Sequence, residues 1–164
     1  MSTPLLVADT GPLIASARLE LMALPSRFYS EVLVTRTVWQ ELTVAPRSQE
    51  MSALSAARDA GLLVIEDDPI SVPALLADAR LDAGERSALS LALLRNAAVL
   101  MDERKGRAVA ASVNLPVSGT LGLLIRARQL GYVGNVRPLI EALTGSGYFL
   151  SPTLVEQALA SVGE

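Results

Sequence analysis

Pro4-Leu5-Leu6-Val7-Ala8-Asp9-Thr10-Gly11-Pro12 sets the terms for everything that follows it. An apolar run of strand length ends on an acid, passes through a turn and meets a proline suited to a first helical position. In an open parallel sheet, ligands and chemistry gather beyond the carboxyl ends of the strands. A strand ending at Ala8 therefore puts Asp9 on that rim, its carboxylate facing whatever binds there. The same residues also have a plainer use, because Asp9 or Thr10 could merely cap the helix opening near Pro12. The choice between the two readings turns on whether later strand ends repeat the pattern.

Composition narrows the chemistry. The 164 residues are 51% hydrophobic and 4% aromatic, so the core must be built mainly from Leu, Val, Ala and Ile. With no cysteine there is neither a disulfide framework nor thiol catalysis. With no histidine the usual neutral-pH base and the commonest metal ligand are gone. Hydrolysis would have to run on carboxylates, hydroxyls, Lys or Arg, or on a hard cation held by oxygen. Net charge is −3, but residues 1–82 carry 11 acids against 6 bases while residues 83–140 carry 3 acids against 8 bases. Thirteen of the fourteen bases are Arg, whose planar fork suits phosphate, so the basic middle is compatible with an anionic substrate. The uncharged stretch 108–125 is interrupted by Asn114, Pro116, Gly119 and Gly122, and no signal segment precedes Asp9, which reads as a soluble cytoplasmic protein without membrane spans.

Along the chain, helices are predicted over 12–21, from a Thr37 cap through Leu42, and over 49–60 where Gly61 closes it. Further helices are predicted over 73–80, 86–95, 104–112, 121–130, 136–143 and 152–162, with a loop at Pro46-Arg47-Ser48. Strands are predicted at 32–34, 62–65, 97–101 and 115–117. The run Glu66-Asp67-Asp68-Pro69 reads as a solvated turn in preference to a metal site. Leu154, Val155, Ala158, Leu159 and Val162 recur at helical spacing, a stripe that faces the core or a partner. The alternation of strands and helices predicts a three-layer α/β/α sandwich with a mainly parallel central sheet. Residues 1–164 are expected to form a single domain, with the helices of 136–162 as an extension of it.

Four acids then fall at comparable places. Asp9 and Asp102 follow strands, Glu85 opens a helix, and Glu41 lies on a short helix where an exposed glutamate is also ordinary. Glu85 in a first turn is equally explained by the helix dipole. Carboxylates brought to one pocket repel and take up protons unless a cation sits among them. Mg²⁺ or Mn²⁺ would suit such oxygen ligands and can hold the oxygens of a phosphodiester. Arg104, Lys105 and Arg107 follow Asp102 and are placed to meet phosphate, or form a solvated helix face.

The segments Val7-Ala8-Asp9-Thr10-Gly11-Pro12-Leu13-Ile14, Val38-Trp39-Gln40-Glu41-Leu42, Gly84-Glu85-Arg86-Ser87-Ala88-Leu89 and Leu100-Met101-Asp102-Glu103-Arg104-Lys105-Gly106-Arg107 resemble, in order and spacing, the acidic motifs of PIN domains. Gly119-Thr120-Leu121-Gly122-Leu123-Leu124 and Gly147-Tyr148-Phe149-Leu150-Ser151 are similar to a VapC-like prokaryotic branch. The resemblance implies a Mg²⁺- or Mn²⁺-dependent endoribonuclease, often the toxin of a type II toxin–antitoxin pair with a small antitoxin partner, and often a homodimer. It makes Asp9, Glu41, Glu85 and Asp102 the metal-binding, catalytic acids, with Thr10 a supporting hydroxyl. Two departures stand out. Asp102-Glu103 follows Met101 directly where many PIN proteins have Thr-x-Asp, so either could complete the site, Asp102 being preferred; and the third acid is Glu instead of the commoner Asp. Asp9-Thr10-Gly11 also spells the aspartic-protease triplet, but that chemistry needs an all-β scaffold. A receiver domain would need paired acids after the first strand and a lysine after the last. The remaining alternative is a catalytically inactive PIN-like module that binds RNA or a protein partner.

Overall fold

The computed structural model describes residues 3–44 and 48–164, so the predicted loop at Pro46-Arg47 lies outside the described residues. Five strands, β1 (Leu6–Ala8), β2 (Val32–Thr35), β3 (Val64–Glu66), β4 (Ala98–Leu100) and β5 (Val117–Ser118), form one parallel sheet in the order β3-β2-β1-β4-β5. The connecting helices are α1 (Thr10–Arg18), α2 (Arg36–Val44), α3 (Ser48–Asp59), α4 (Ala74–Ala77), α5 (Ala83–Arg95), α6 (Arg104–Ser112), α7 (Thr120–Gln129), α8 (Arg137–Gly145) and α9 (Pro152–Ser161). The three-layer sandwich expected from the alternation is the one observed.

The apolar character of β1, β2 and β4 follows from burial on both faces, for every residue of the three is buried. The edge strands β3 and β5 are only half-buried, and β3 carries Glu66 in its last position. Helix α5 packs across β1, β2 and β4. Small and apolar residues from Ala88 to Ala92 bury most of its circumference. Its Ser87 hydroxyl meets the Thr35 hydroxyl at 2.7 Å.

The differences from the sequence reading have local causes. The threonine capping α2 is Thr35, whose hydroxyl accepts from the Val38 N–H at 3.1 Å, while Thr37 stands inside the helix. The third strand starts at Val64, because Leu62 still closes α3, donating its N–H to Ala57 at 2.9 Å behind Gly61 in the left-handed region (φ +77°). The helix expected over 73–80 is one turn, Ala74–Ala77. The acidic run after β3 serves the neighbouring elements. Glu66 pairs with Arg95, Asp67 with Arg36, and Asp68 accepts from the Thr37 N–H and hydroxyl at the start of α2. On α9, Leu159 is buried and Val155 and Val162 pack on the core, whereas Leu154 faces outward.

Candidate functional site

Chain order runs from β1 outward through β2 to β3, then returns to the other side of β1 for β4 and β5. The reversal lies between β1 and β4, the place where an open α/β sheet leaves a crevice beyond its strand ends. Asp9 and Asp102 follow those two strands, and the Asp9 N–H extends their ladder by donating to the Leu100 carbonyl at 2.9 Å.

Asp9 occupies the N-cap position of α1 in extended conformation, yet its side chain makes no capping bond. The plain capping reading therefore fails at the side chain. The residue is 6% exposed. Burial, reinforced by the charges of Asp82 and Glu85, pushes its pKa up to about 6, against the pull of Thr10's backbone and side-chain hydrogen bonds. The Thr10 hydroxyl lies 3.3 Å from Asp9 Oδ1 and 3.3 Å from Glu41 Oε2, so one hydrogen serves two acceptors.

Glu41 is exposed as a residue, but its carboxylate rests on the first turn of α5. A Cβ at Gly84 would stand 2.3 Å from Glu41 Oε2, so glycine is what admits the carboxylate. Loss of solvent, then the Asp82 charge, raises the Glu41 pKa, while Thr10 and the Gly84 N–H lower it. Glu85 is buried within a capping box: its N–H donates to Asp82 Oδ1 at 2.8 Å, and the Asp82 N–H donates to Glu85 Oε2 at 3.1 Å. Burial raises the Glu85 pKa despite that backbone bond. Asp82 and Glu103 add to the rise, and Lys105 opposes it. Asp82, which raises all three of these pKa values, has no site role in the sequence reading. Its signal was the Asp-x-x-Glu spacing of a capping box.

Asp102 is held differently. Oδ1 accepts from the Thr120 N–H at 2.7 Å, and Oδ2 accepts from the Thr120 hydroxyl at 2.6 Å and from the Tyr148 hydroxyl. The turn Ser118-Gly119-Thr120 thus gives its N-terminal N–H to a carboxylate of the chain itself. The Tyr148 phenol is pushed well above its ordinary range by burial, then by the charge of Asp102 and the bond to it; Thr120 acts the other way and Asp9 adds to the rise. Glu103 is exposed at the N-cap of α6 and makes no capping bond there. Arg104 and Lys105 are exposed, whereas Arg107 donates from Nη1 to the Met101 carbonyl at 3.0 Å.

Asp9, Glu41, Asp82 and Glu85 therefore share one electrostatic neighbourhood, and Asp102 stands beyond Tyr148 with its own donors. Among the described residues no three carboxylates are grouped closely enough to hold an ion as they stand. The donor set nevertheless fits a hard divalent cation: every group is a carboxylate or hydroxyl oxygen, and buried Asp9 makes no capping bond and keeps a raised pKa despite its hydrogen bonds from Thr10. Two open hollows lie elsewhere, one of about 720 Å³ lined in part by Arg18, Glu50 and Ser146, the other of about 530 Å³ beside Pro69, Ile70 and Leu94.

A family model, DUF3368, described as a PIN domain, matches residues 5–164. The chain is similar in fold to the crystal structure of PAE2754 from Pyrobaculum aerophilum, with a TM-score of 0.52, 13% identity, and coverage of 77% of this chain and 91% of that one. No curated protein matches the chain in sequence. No helix among the described residues is long and apolar enough to cross a membrane.

Proposed function

We propose, on the premise that the chain belongs to the PIN domain family, that it is a divalent-metal-dependent endoribonuclease. PIN domains are generally metal-dependent nucleases. The observation that carries the proposal is Asp9, a buried carboxylate at the sheet's reversal with no capping bond and with other acids close enough to raise its pKa. Asp9, Glu41, Glu85 and Asp102 would hold Mg²⁺ or Mn²⁺. When bound, such an ion supplies Lewis-acid polarisation of a phosphodiester and acidification of water. Thr10 keeps the Asp9 and Glu41 carboxylates turned toward each other through its shared hydrogen. Arg104 and Lys105, exposed just past Asp102, meet the phosphates of the RNA strand. Arg107 steadies the turn between β4 and α6 through the Met101 carbonyl and offers its remaining N–H groups to phosphate.

The similarity of 119–124 and 147–151 to VapC-like proteins supports a toxin of a type II toxin–antitoxin pair, acting in the cytoplasm as a homodimer and restrained by a small antitoxin. A second reading, an inactive module that binds RNA or a protein, draws on the donors that occupy both Asp102 oxygens and on the separation of the acids.

Cleavage of single-stranded RNA by the purified protein separates the two. The nuclease cuts with Mn²⁺ or Mg²⁺, stops in EDTA, and loses at least about 100-fold in rate in Asp9→Asn and in Asp102→Asn with the far-UV spectrum intact. No cutting with either metal supports the inactive module. Normal cutting by both variants shows that the acids are wrongly assigned.

A further inference from the structure

Tyr148 stands on a turn anchored from two sides. Gly147, in the left-handed region at φ +88°, reverses the chain after α8, and the Tyr148 N–H donates back to the Leu143 carbonyl at 3.1 Å. The preceding Ser146 receives Arg18 Nη1 on its carbonyl at 3.3 Å and on its hydroxyl at 3.1 Å, and Arg18 Nε is in turn paired with Glu50 at 2.6 Å. Both members of that pair are largely buried, with side chains 17% and 15% exposed. Gly11 leaves room for the phenol, since a Cβ there would lie 3.1 Å from the Tyr148 hydroxyl. The hydroxyl is thus delivered to Asp102 from a fixed direction.

A carboxylate offers about four acceptor positions, two on each oxygen. On Asp102 the Thr120 hydroxyl and the Tyr148 hydroxyl occupy Oδ2, while the Thr120 N–H takes one position on Oδ1. One position remains, and it is on Oδ1. We propose that Tyr148 is a positioning residue for the metal site, saturating Oδ2 so that Asp102 presents a single Oδ1 lone pair to the cation. This rests on the nuclease reading above and goes beyond it by assigning how one acid engages the ion. Phenol and threonine hydroxyl on one oxygen also stop the carboxylate from rotating, which is what an ion held at fixed geometry requires of its ligand.

The test is Tyr148→Phe, which keeps the ring and removes only the hydroxyl, titrated with Mn²⁺ in a calorimeter without RNA. Expected are Mn²⁺ binding weaker by about 10- to 100-fold, a melting temperature in EDTA lowered only by the loss of one hydrogen bond, and cleavage that recovers as Mn²⁺ is raised. A merely structural tyrosine would lower the EDTA melting temperature by the same amount and leave the Mn²⁺ affinity alone, so the affinity decides. Thr120→Val removes the other Oδ2 donor while keeping the N–H bond to Oδ1, and it takes the place of Tyr148→Phe if that variant does not fold; the same weakening is expected. Mn²⁺ affinity equal to or tighter than the parent's in the folded variant overturns the proposal by itself, provided Asp9→Asn abolishes binding. A parent protein that binds no Mn²⁺, or an Asp9→Asn variant that binds as well as the parent, overturns the nuclease reading and this proposal with it.

Discussion

Asp9 and Asp102 stand at the ends of adjacent strands, and the chain treats their charges in opposite ways. Asp102 is surrounded by donors from the start of α7 and from Tyr148, so hydrogen bonds replace the water it lost. Asp9 is more deeply buried, and its hydrogen bonds from Thr10 do not offset that burial, while Asp82 and Glu85 add their charges and Glu41 shares the Thr10 hydroxyl. Folding satisfies the first carboxylate and leaves the second dependent on something added, a proton or a cation. The contrast separates a ligand that is aimed from a ligand that is needy, and a divalent centre has use for both.

The largest expected effect breaks this contrast at Asp9. Its pKa is about 6 in the folded chain against 3.8 unexpressed by burial, so between those values the folded state keeps a proton that the unfolded state has released. Stability of the metal-free protein therefore falls as pH rises from about 4 through 6, then levels, a loss of about 3 kcal/mol at neutral pH. Asp9→Asn is expected to make that slope shallower, leaving the share due to Glu41 and Glu85, and to raise the melting temperature in EDTA at pH 7, while Mn²⁺ restores the parent and does nothing for the variant. Melting curves over pH 4–8 with and without Mn²⁺ provide the check. A flat parent curve would mean that the carboxylate is better solvated than its surroundings indicate.

Next in size is Gly84. An alanine there improves the helix by up to about 1 kcal/mol in intrinsic preference, and the atoms nearest its Cβ belong to the far end of the Glu41 side chain. Gly84→Ala is expected to fold at least as well as the parent and to cut RNA about 10- to 100-fold more slowly, because the displaced acid is Glu41. Gain of stability with loss of cleavage is the outcome that distinguishes a site glycine from a packing glycine. Asp102→Asn carries a smaller and opposite signature in stability. Replacing charge-assisted bonds to Thr120 and Tyr148 with neutral ones costs about 1–2 kcal/mol in the metal-free protein, read as a lower melting temperature in EDTA. Asp9→Asn and Asp102→Asn should thus move the fold in opposite directions while both remove cleavage.

The fold was legible because period and punctuation agree. Apolar runs at 5–8, 32–34 and 97–101 can only be strands buried on both faces, and the residues after the first and last of these are acids. Glu85 was legible as a first-turn acid, and its burial follows from the packing of its helix across the three central strands. Asp82 escaped because its charge acts through space on Asp9, Glu41 and Glu85, which helix spacing does not encode. Thr120's partner could not be read locally, because a Ser-Gly-Thr turn before a helix has the same form whether its N–H meets a phosphate or an aspartate. Tyr148 lies 46 residues beyond Asp102, and only the path of α8 brings them together. The α2 cap was misplaced by two residues for a similar reason, since two threonines flank Arg36 and only burial selects Thr35.

The smallest expected effect concerns the choice between Asp102 and Glu103. Both are acids beyond β4, and nothing in the local sequence separates them. Their surroundings do. Asp102 is half-buried and held by side-chain and backbone donors, whereas Glu103 is exposed, leaves the first turn of α6 uncapped, and touches the site only as a charge felt by Glu85. A side chain held in place by no bond has no fixed direction in which to offer an oxygen. Glu103→Gln should therefore leave Mn²⁺-dependent cleavage within about twofold of the parent, the scale of an ordinary surface substitution. A loss comparable to that of Asp102→Asn would move the fourth ligand one residue along the chain, and the bonds from Thr120 and Tyr148 would then be structural supports for a turn.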